Sequence, residues 1–350
     1  MSAVIALPRL MRIGAGASGE LAATLAAFGL KRPLIVSDRY LVSVGHVDRL
    51  VADLQRAGVS ARVFSETVPD PTVASIEAGV AFAKEGDHDC VVGFGGGSPL
   101  DSAKAIAVLS QYGGRMRDYM VPHVQDAPGL PVIAIPTTAG TGSEATRFTI
   151  ITDEATSEKM LCVGLAYLPL AALVDYELTL TMPRRLTADT GIDSLTHAIE
   201  AYVSRKANPF SDGMALQAMR LIAPNLRVVD KAPDDRAARE AMMLGATQAG
   251  IAFSNASVAL VHGMSRPIGA YFHVPHGLSN AMLLPVVTAY SAPAALQRYA
   301  QCAVAMGVAR EGEGDQAAVA RLLDELQSLN ADLEVPSPAR YGVSREDWDR

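Results

Sequence analysis

Short apolar runs alternate with helix-periodic stretches through the first half of this chain, and after about residue 183 the strand-like runs stop. That asymmetry constrains the fold more than any other feature. The runs at Pro33–Val36, 61–64, 90–94 and 131–135 read as buried strands. Between them, residues 19–28, 47–57, Val73–Lys84 and 101–109 read as helices, closed or preceded by glycine and proline breakers. Strands that alternate with helices imply a parallel sheet with right-handed crossovers. Helical patterns then cover 189–203, 212–220, 235–252, 256–269 and 294–306. The expectation is an α/β domain over residues 1–182 followed by an all-α domain over 183–350.

The rest of the sequence narrows the function classes. Its 350 residues are natural for two domains, and 49% hydrophobic content with only 5% aromatic suits helices packed on a parallel sheet. A net charge of −7 without a basic run argues against a nucleic-acid partner. No apolar stretch is long enough to span a membrane. Cys90, Cys162 and Cys302 are scattered singly, which fits a reducing cytoplasm.

Three loops at expected strand ends carry ligand-binding chemistry. Gly95, Gly96, Gly97 and Ser98 lie between a strand and a helix, where backbone N–H groups and the helix terminus can cradle a pyrophosphate. No Gly-Lys-Ser/Thr follows, so this is not a Walker loop. Asp38 closes the strand-like run Pro33–Val36; a carboxylate there accepts from a ribose diol and repels a 2′-phosphate, favouring NAD over NADP. A helix-capping aspartate is the plainer reading of the same residue. The segment containing Thr137, Thr138 and Thr141 also follows a strand.

In the second half, Asp193 and His197 stand at i and i+4 on one helix face. His262 lies on another apolar helical stretch, and His276 at a turn or helix start. One carboxylate and three imidazoles give a +1 site on a divalent ion, suited to Fe(II) or Zn(II), with a position open for a substrate oxygen. Such an ion lowers the pKa of an alcohol. The substrate is expected where the two halves meet.

Residues 95–101 (GGGSPLD), 136–144 (PTTAGTGSE), 191–202 (GIDSLTHAIEAY) and 262–281 (HGMSRPIGAYFHVPHGLSNA) resemble the iron-containing alcohol dehydrogenases, and the resemblance runs to about residue 345. It implies a dehydroquinate-synthase-like fold: a dinucleotide-binding α/β domain, then an α-helical metal-binding domain. It implies metal ligands Asp193, His197, His262 and His276, and cofactor contacts Asp38, Gly95–Ser98, Asp101, Thr137, Thr138, Thr141 and Lys159. It also implies a homodimer or larger assembly acting on a small alcohol or aldehyde. Many members carry a histidine four residues after the third ligand; here Arg266 stands there, and a guanidinium cannot shuttle protons at neutral pH. His273 is the alternative relay. Phe148, Phe253 and Arg266 are candidate pocket residues. The chain ends at Arg350, where members usually continue into a further helix, so a shortened C-terminus is expected. Other readings stay open: a hydroxyacid–oxoacid transhydrogenase or a maleylacetate-type reductase, for which Arg147 and Arg266 speak, and a non-catalytic binding protein.

Overall fold

The computed structural model describes residues 2–349, and the chain divides into two compact units. The first comprises Ala6–Thr138 and Gly142–Thr179; the second is built from Leu180 onward and includes Ala139–Thr141.

The first unit is a six-stranded sheet in which every pairing is parallel. Its strands are β1 (Leu10–Ile13), β2 (Pro33–Val36), β3 (Arg62–Phe64), β4 (Cys90–Gly95), β5 (Val132–Pro136) and β8 (Ala171–Val174), in the order β1-β8-β5-β4-β2-β3. The central strands β2, β4, β5 and β8 are buried along their whole length, as parallel strands covered on both faces must be. Helices α1 (Leu21–Ala27), α2 (Arg39–Ser43), α3 (His46–Arg56), α4 (Val73–Lys84) and α5 (Gly97–Tyr112) make the crossovers. Helix α4 starts at a capping box in which Thr72 and Ser75 satisfy each other's backbone N–H groups.

Four strands escape the sequence pattern. Arg12 interrupts the apolar run of β1, and β8 is half alanine, a poor strand former. The antiparallel pair β6 (Phe148–Asp153) and β7 (Glu158–Val163) forms a separate two-stranded sheet. Its alternation of buried and partly exposed residues is the period-two signal of a half-covered hairpin.

The second unit is helical: α6 (Arg184–Val203), α7 (Pro209–Lys231), α8 (Arg236–Ala256), α9 (Leu260–Phe272), α10 (His276–Ser291), α11 (Leu296–Ala305) and α12 (Asp315–Asp332). The sequence pattern misses α12 and anticipates α10 only as a turn or helix start at His276. It also starts α6 near Asp189, whereas the helix begins at Arg184 after Pro183. Asp189 and Thr190 therefore lie inside the helix. Among the described residues no single helix is long and apolar enough to cross a membrane. The three cysteines are buried and free.

Candidate metal centre

Helix α6 is buried around nearly its whole circumference from Thr187 to Tyr202. Asp193, His197 and Glu200 are spaced at i, i+4 and i+7, so one face carries all three. Helix α9 contributes His262 in its first turn, α10 opens with His276, and α8 contributes Phe253. One glycine permits this convergence. A Cβ on Gly277 would lie 2.6 Å from the Asp189 carbonyl oxygen and 3.3 Å from the Asp193 Cβ, so α10 starts against the backbone of α6.

One ligand atom from each of Asp193, His197, His262 and His276 lies within 4.8 Å of the others. Asp193 Oδ1 is the hub: the Nε2 atoms of His262, His197 and His276 lie 3.5, 3.9 and 3.9 Å from it. Asp193, His197 and His262 are buried, whereas the His276 side chain is 31% exposed and marks the open side. The His197 ring stacks between Phe253 (centroids 4.3 Å apart) and His262 (4.4 Å). Its Nδ1 is buried without a hydrogen-bond partner.

The electrostatics follow from this packing. Burial opposes ionisation of Asp193, but the three imidazoles outweigh it and hold the carboxyl well below its usual range. Burial drives His197 down to about 3, with His262 and His276 adding to the effect, so this ring stays neutral. His262 also suffers burial, but Asp193 and Glu200 carry it up to about 9. Lone pairs of three imidazoles and a carboxylate converging in a buried volume repel one another unless a proton or a metal cation lies among them. The donor set fits a divalent ion with mixed nitrogen and oxygen ligands.

Glu200 was not singled out from the sequence. Its oxygens accept from His262 Nδ1 at 2.7 Å and from the backbone N–H groups of Ala259, Val261 and His262. It therefore caps the start of α9, which has no side-chain cap from Ala259, and orients the His262 ring. The available signal was its spacing, three residues beyond His197 on the same face. Asn280, one turn after His276, is the second residue missed; its Nδ2 contacts Asp193 Oδ1 at 2.6 Å.

The candidate nucleotide residues fall mainly at the carboxyl ends of β2, β4 and β5. Strand order reverses between β2 and β4, the usual binding crevice of a doubly wound sheet. Asp38 follows β2 and Gly95–Ser98 spans the junction of β4 and α5. Gly95 has φ +153°, and a Cβ there would lie 2.5 Å from Pro99 Cγ, so this turn requires glycine. Thr137 donates its backbone N–H to the Gly95 carbonyl at 2.9 Å, and the Thr138 side chain packs on Gly96. Asp38 also caps α2, accepting from Leu41 N at 2.8 Å through one oxygen.

Other candidates have structural partners. Asp101 accepts from Ser143 Oγ at 2.7 Å and from Ile150 N at 2.9 Å, pinning the segment after β5 onto α5. Buried Lys104 donates to Ser143 Oγ, to both Thr146 oxygens and to the Phe148 carbonyl. Lys159, on β7, pairs with Asp70 at 2.9 Å. Thr141 belongs to the helical unit. Arg266 is half-buried one turn beyond His262; burial pulls its pKa down against the field of Glu200. His273 is exposed, at φ +53°, where α9 ends.

Two family models match this chain. One described as iron-containing alcohol dehydrogenase covers residues 8–176, and one described as Fe-containing alcohol dehydrogenase family, C-terminal, covers residues 187–350. The chain is 41% identical to long-chain-alcohol dehydrogenase 1 of Geobacillus thermodenitrificans, over 95% of this chain and 84% of the relative. It is 38% identical to the NAD-dependent methanol dehydrogenase of Bacillus methanolicus, over 97% of this chain and 90% of the relative. Among solved structures, a 1,3-propanediol oxidoreductase superposes with a TM-score of 0.95 at 34% identity, covering 99% of this chain and 91% of the other.

Proposed function

The chain belongs to the iron-containing alcohol dehydrogenase family, and on that premise we propose that it is a metal-dependent, NAD-linked dehydrogenase that reversibly oxidises a primary alcohol or small diol. The observation that carries this reading is the convergence of Asp193, His197, His262 and His276 within 4.8 Å. These four are the ligands, Fe(II) is the ion, and Zn(II) suits the same donors. When bound, the ion supplies a positive charge that lowers the pKa of the substrate hydroxyl. Asp193 balances part of that charge. Glu200 holds His262 as the Nδ1–H tautomer, leaving the Nε2 lone pair for ligation. Phe253, stacked on His197, walls one side with apolar surface, and the exposed edge of His276 is where substrate approaches.

The N-terminal domain, taken as residues 1–182, binds NAD. Asp38 engages the ribose diol, Gly95, Gly96, Gly97 and Ser98 take the pyrophosphate, and Asp101, Thr137, Thr138, Thr141 and Lys159 complete the contacts. Residues 183–350 form the metal-binding domain. The names of the relatives, which speak of long-chain alcohols, methanol and 1,3-propanediol, support primary alcohols and diols. Assembly as a dimer or larger homo-oligomer belongs to the same proposal, as does a place in the cytoplasm, whose reducing conditions suit the free, buried cysteines.

Arg266, half-buried one turn beyond His262, favours a second reading, in which its guanidinium pairs with the carboxylate of an oxo- or hydroxyacid. NADH formation at 340 nm, with Fe(II)-loaded protein and a panel of alkanols, diols and hydroxyacids, separates the two. Asp193→Ala is expected to lose metal retention and activity together; activity that survives this substitution sinks the ligand assignment.

A further inference from the structure

Asn280 lies on α10, fully buried, one helical turn after His276. Its Nδ2 is 2.6 Å from Asp193 Oδ1, 3.0 Å from His262 Nε2 and 3.3 Å from His276 Nε2. Its other end, Oδ1, is buried without a partner. Its two N–H bonds thus face three atoms, each belonging to a proposed ligand, while the carbonyl goes unserved. A buried asparagine that only filled space would satisfy both ends of its amide.

The unserved carbonyl shows which contact dictates the orientation. Turning the amide over would press Oδ1 against Asp193 Oδ1, placing two lone-pair-bearing oxygens in contact. The hydrogen bond to Asp193 is charge-assisted and therefore the strong one. It is also the one compatible with ligation. An imidazole nitrogen has a single lone pair and cannot serve an ion and an amide together, whereas a carboxylate oxygen has lone pairs for both.

We propose that Asn280 is a positioning residue of the metal centre: its Nδ2–H fixes the Asp193 carboxylate so that Oδ1 faces the three imidazoles. The proposal rests on the assignment of those four residues as ligands. Its role is analogous to that of Glu200 on His262, but on the only anionic ligand of the set.

The test uses Asn280→Leu, close to the natural volume, and Asn280→Ala, should the leucine variant fail to fold. Zn2+ affinity is measured in the full chain by competition with a chromophoric chelator, and the visible absorption of the Co(II)-loaded protein reports ligand geometry. The expected result is binding weakened by about 10–100-fold, the usual effect of removing a partner that orients a ligand, with a shifted Co(II) band. Wild-type affinity and band shape in a folded variant overturn the proposal, as does a lowered melting temperature with both unchanged. If the wild-type chain itself holds neither Zn2+ nor Co(II), the ligand assignment falls first.

Discussion

Glu200 Oε2 accepts a hydrogen bond from His262 Nδ1 at 2.7 Å, and on the far side of the same ring Nε2 lies 3.5 Å from Asp193 Oδ1. One imidazole thus links two carboxylates of α6, and its tautomer is set by the one that also caps α9. Orientation of the ring and position of the helix that carries it have a common cause.

Glu200→Gln keeps the shape but removes the charge that selects the Nδ1–H tautomer. Loss of such a partner costs about 10–100-fold in metal affinity. The iron content of Glu200→Gln protein after dialysis is expected to fall well below wild type, with the melting temperature of the metal-free chain also lowered by the weaker cap. Full iron retention would contradict the role assigned to Glu200.

The pH dependence has a definite sign. The His262 pKa is raised to about 9 in the fold, above the ordinary histidine value of about 6.5. Its protonated form therefore stabilises the metal-free chain fully below about pH 6.5, and that contribution is lost as pH rises through about 9. Ligation needs the neutral ring, so loading below pH 9 expels its proton, and affinity should rise about tenfold per pH unit up to that point. His197, held at about 3, adds no proton to this exchange. Calorimetry of Zn2+ binding at pH 7.5, in buffers of different ionisation enthalpy, is expected to show a proton released from His262. Identical heats in all buffers would contradict it.

Asp38 combines two roles that substitutions can separate. Asp38→Asn retains an oxygen to cap α2 while removing the charge that repels a 2′-phosphate; Asp38→Ala removes both. Both variants are expected to shift kcat/KM toward NADP by about an order of magnitude relative to NAD, the size of roughly 1.4 kcal/mol. Only the alanine variant should lose cap stability, about 0.5–1 kcal/mol by denaturant unfolding. An unchanged cofactor ratio in both variants removes Asp38 from the ribose site.

Gly277→Ala tests the close approach of α10 to α6. The added methyl would lie 2.6 Å from the Asp189 carbonyl oxygen, a backbone atom that cannot swing aside. Overpacking of this kind costs about 1–3 kcal/mol. The shift that relieves it should carry His276 away from Asp193. Lower thermal stability together with weaker Zn2+ binding is the expected pair of results; a stable variant with unaltered binding would show that α10 can yield without disturbing the ligands.

Much of this protein is determined by the sequence alone, because its signals are local. β2 and α4 have the bounds that apolar runs and breakers predict, whereas α5 starts at Gly97, four residues before the expected Asp101. The spacing of Asp193 and His197 places them on one face of any helix they share. β1 and β8 gave no such signal, since Arg12 interrupts the apolar run of β1 and alanines fill half of β8, and their stability comes from pairing across the sheet. The tertiary structure alone decided that His262 and His276, from two other helices, meet the α6 pair. That meeting depends on Gly277 against the α6 backbone and Glu200 at the start of α9, contacts between residues far apart in the chain. It also set Asn280 against Asp193 and left Lys159 with Asp70, because side-chain partners across helices and strands follow from packing, which no local pattern encodes.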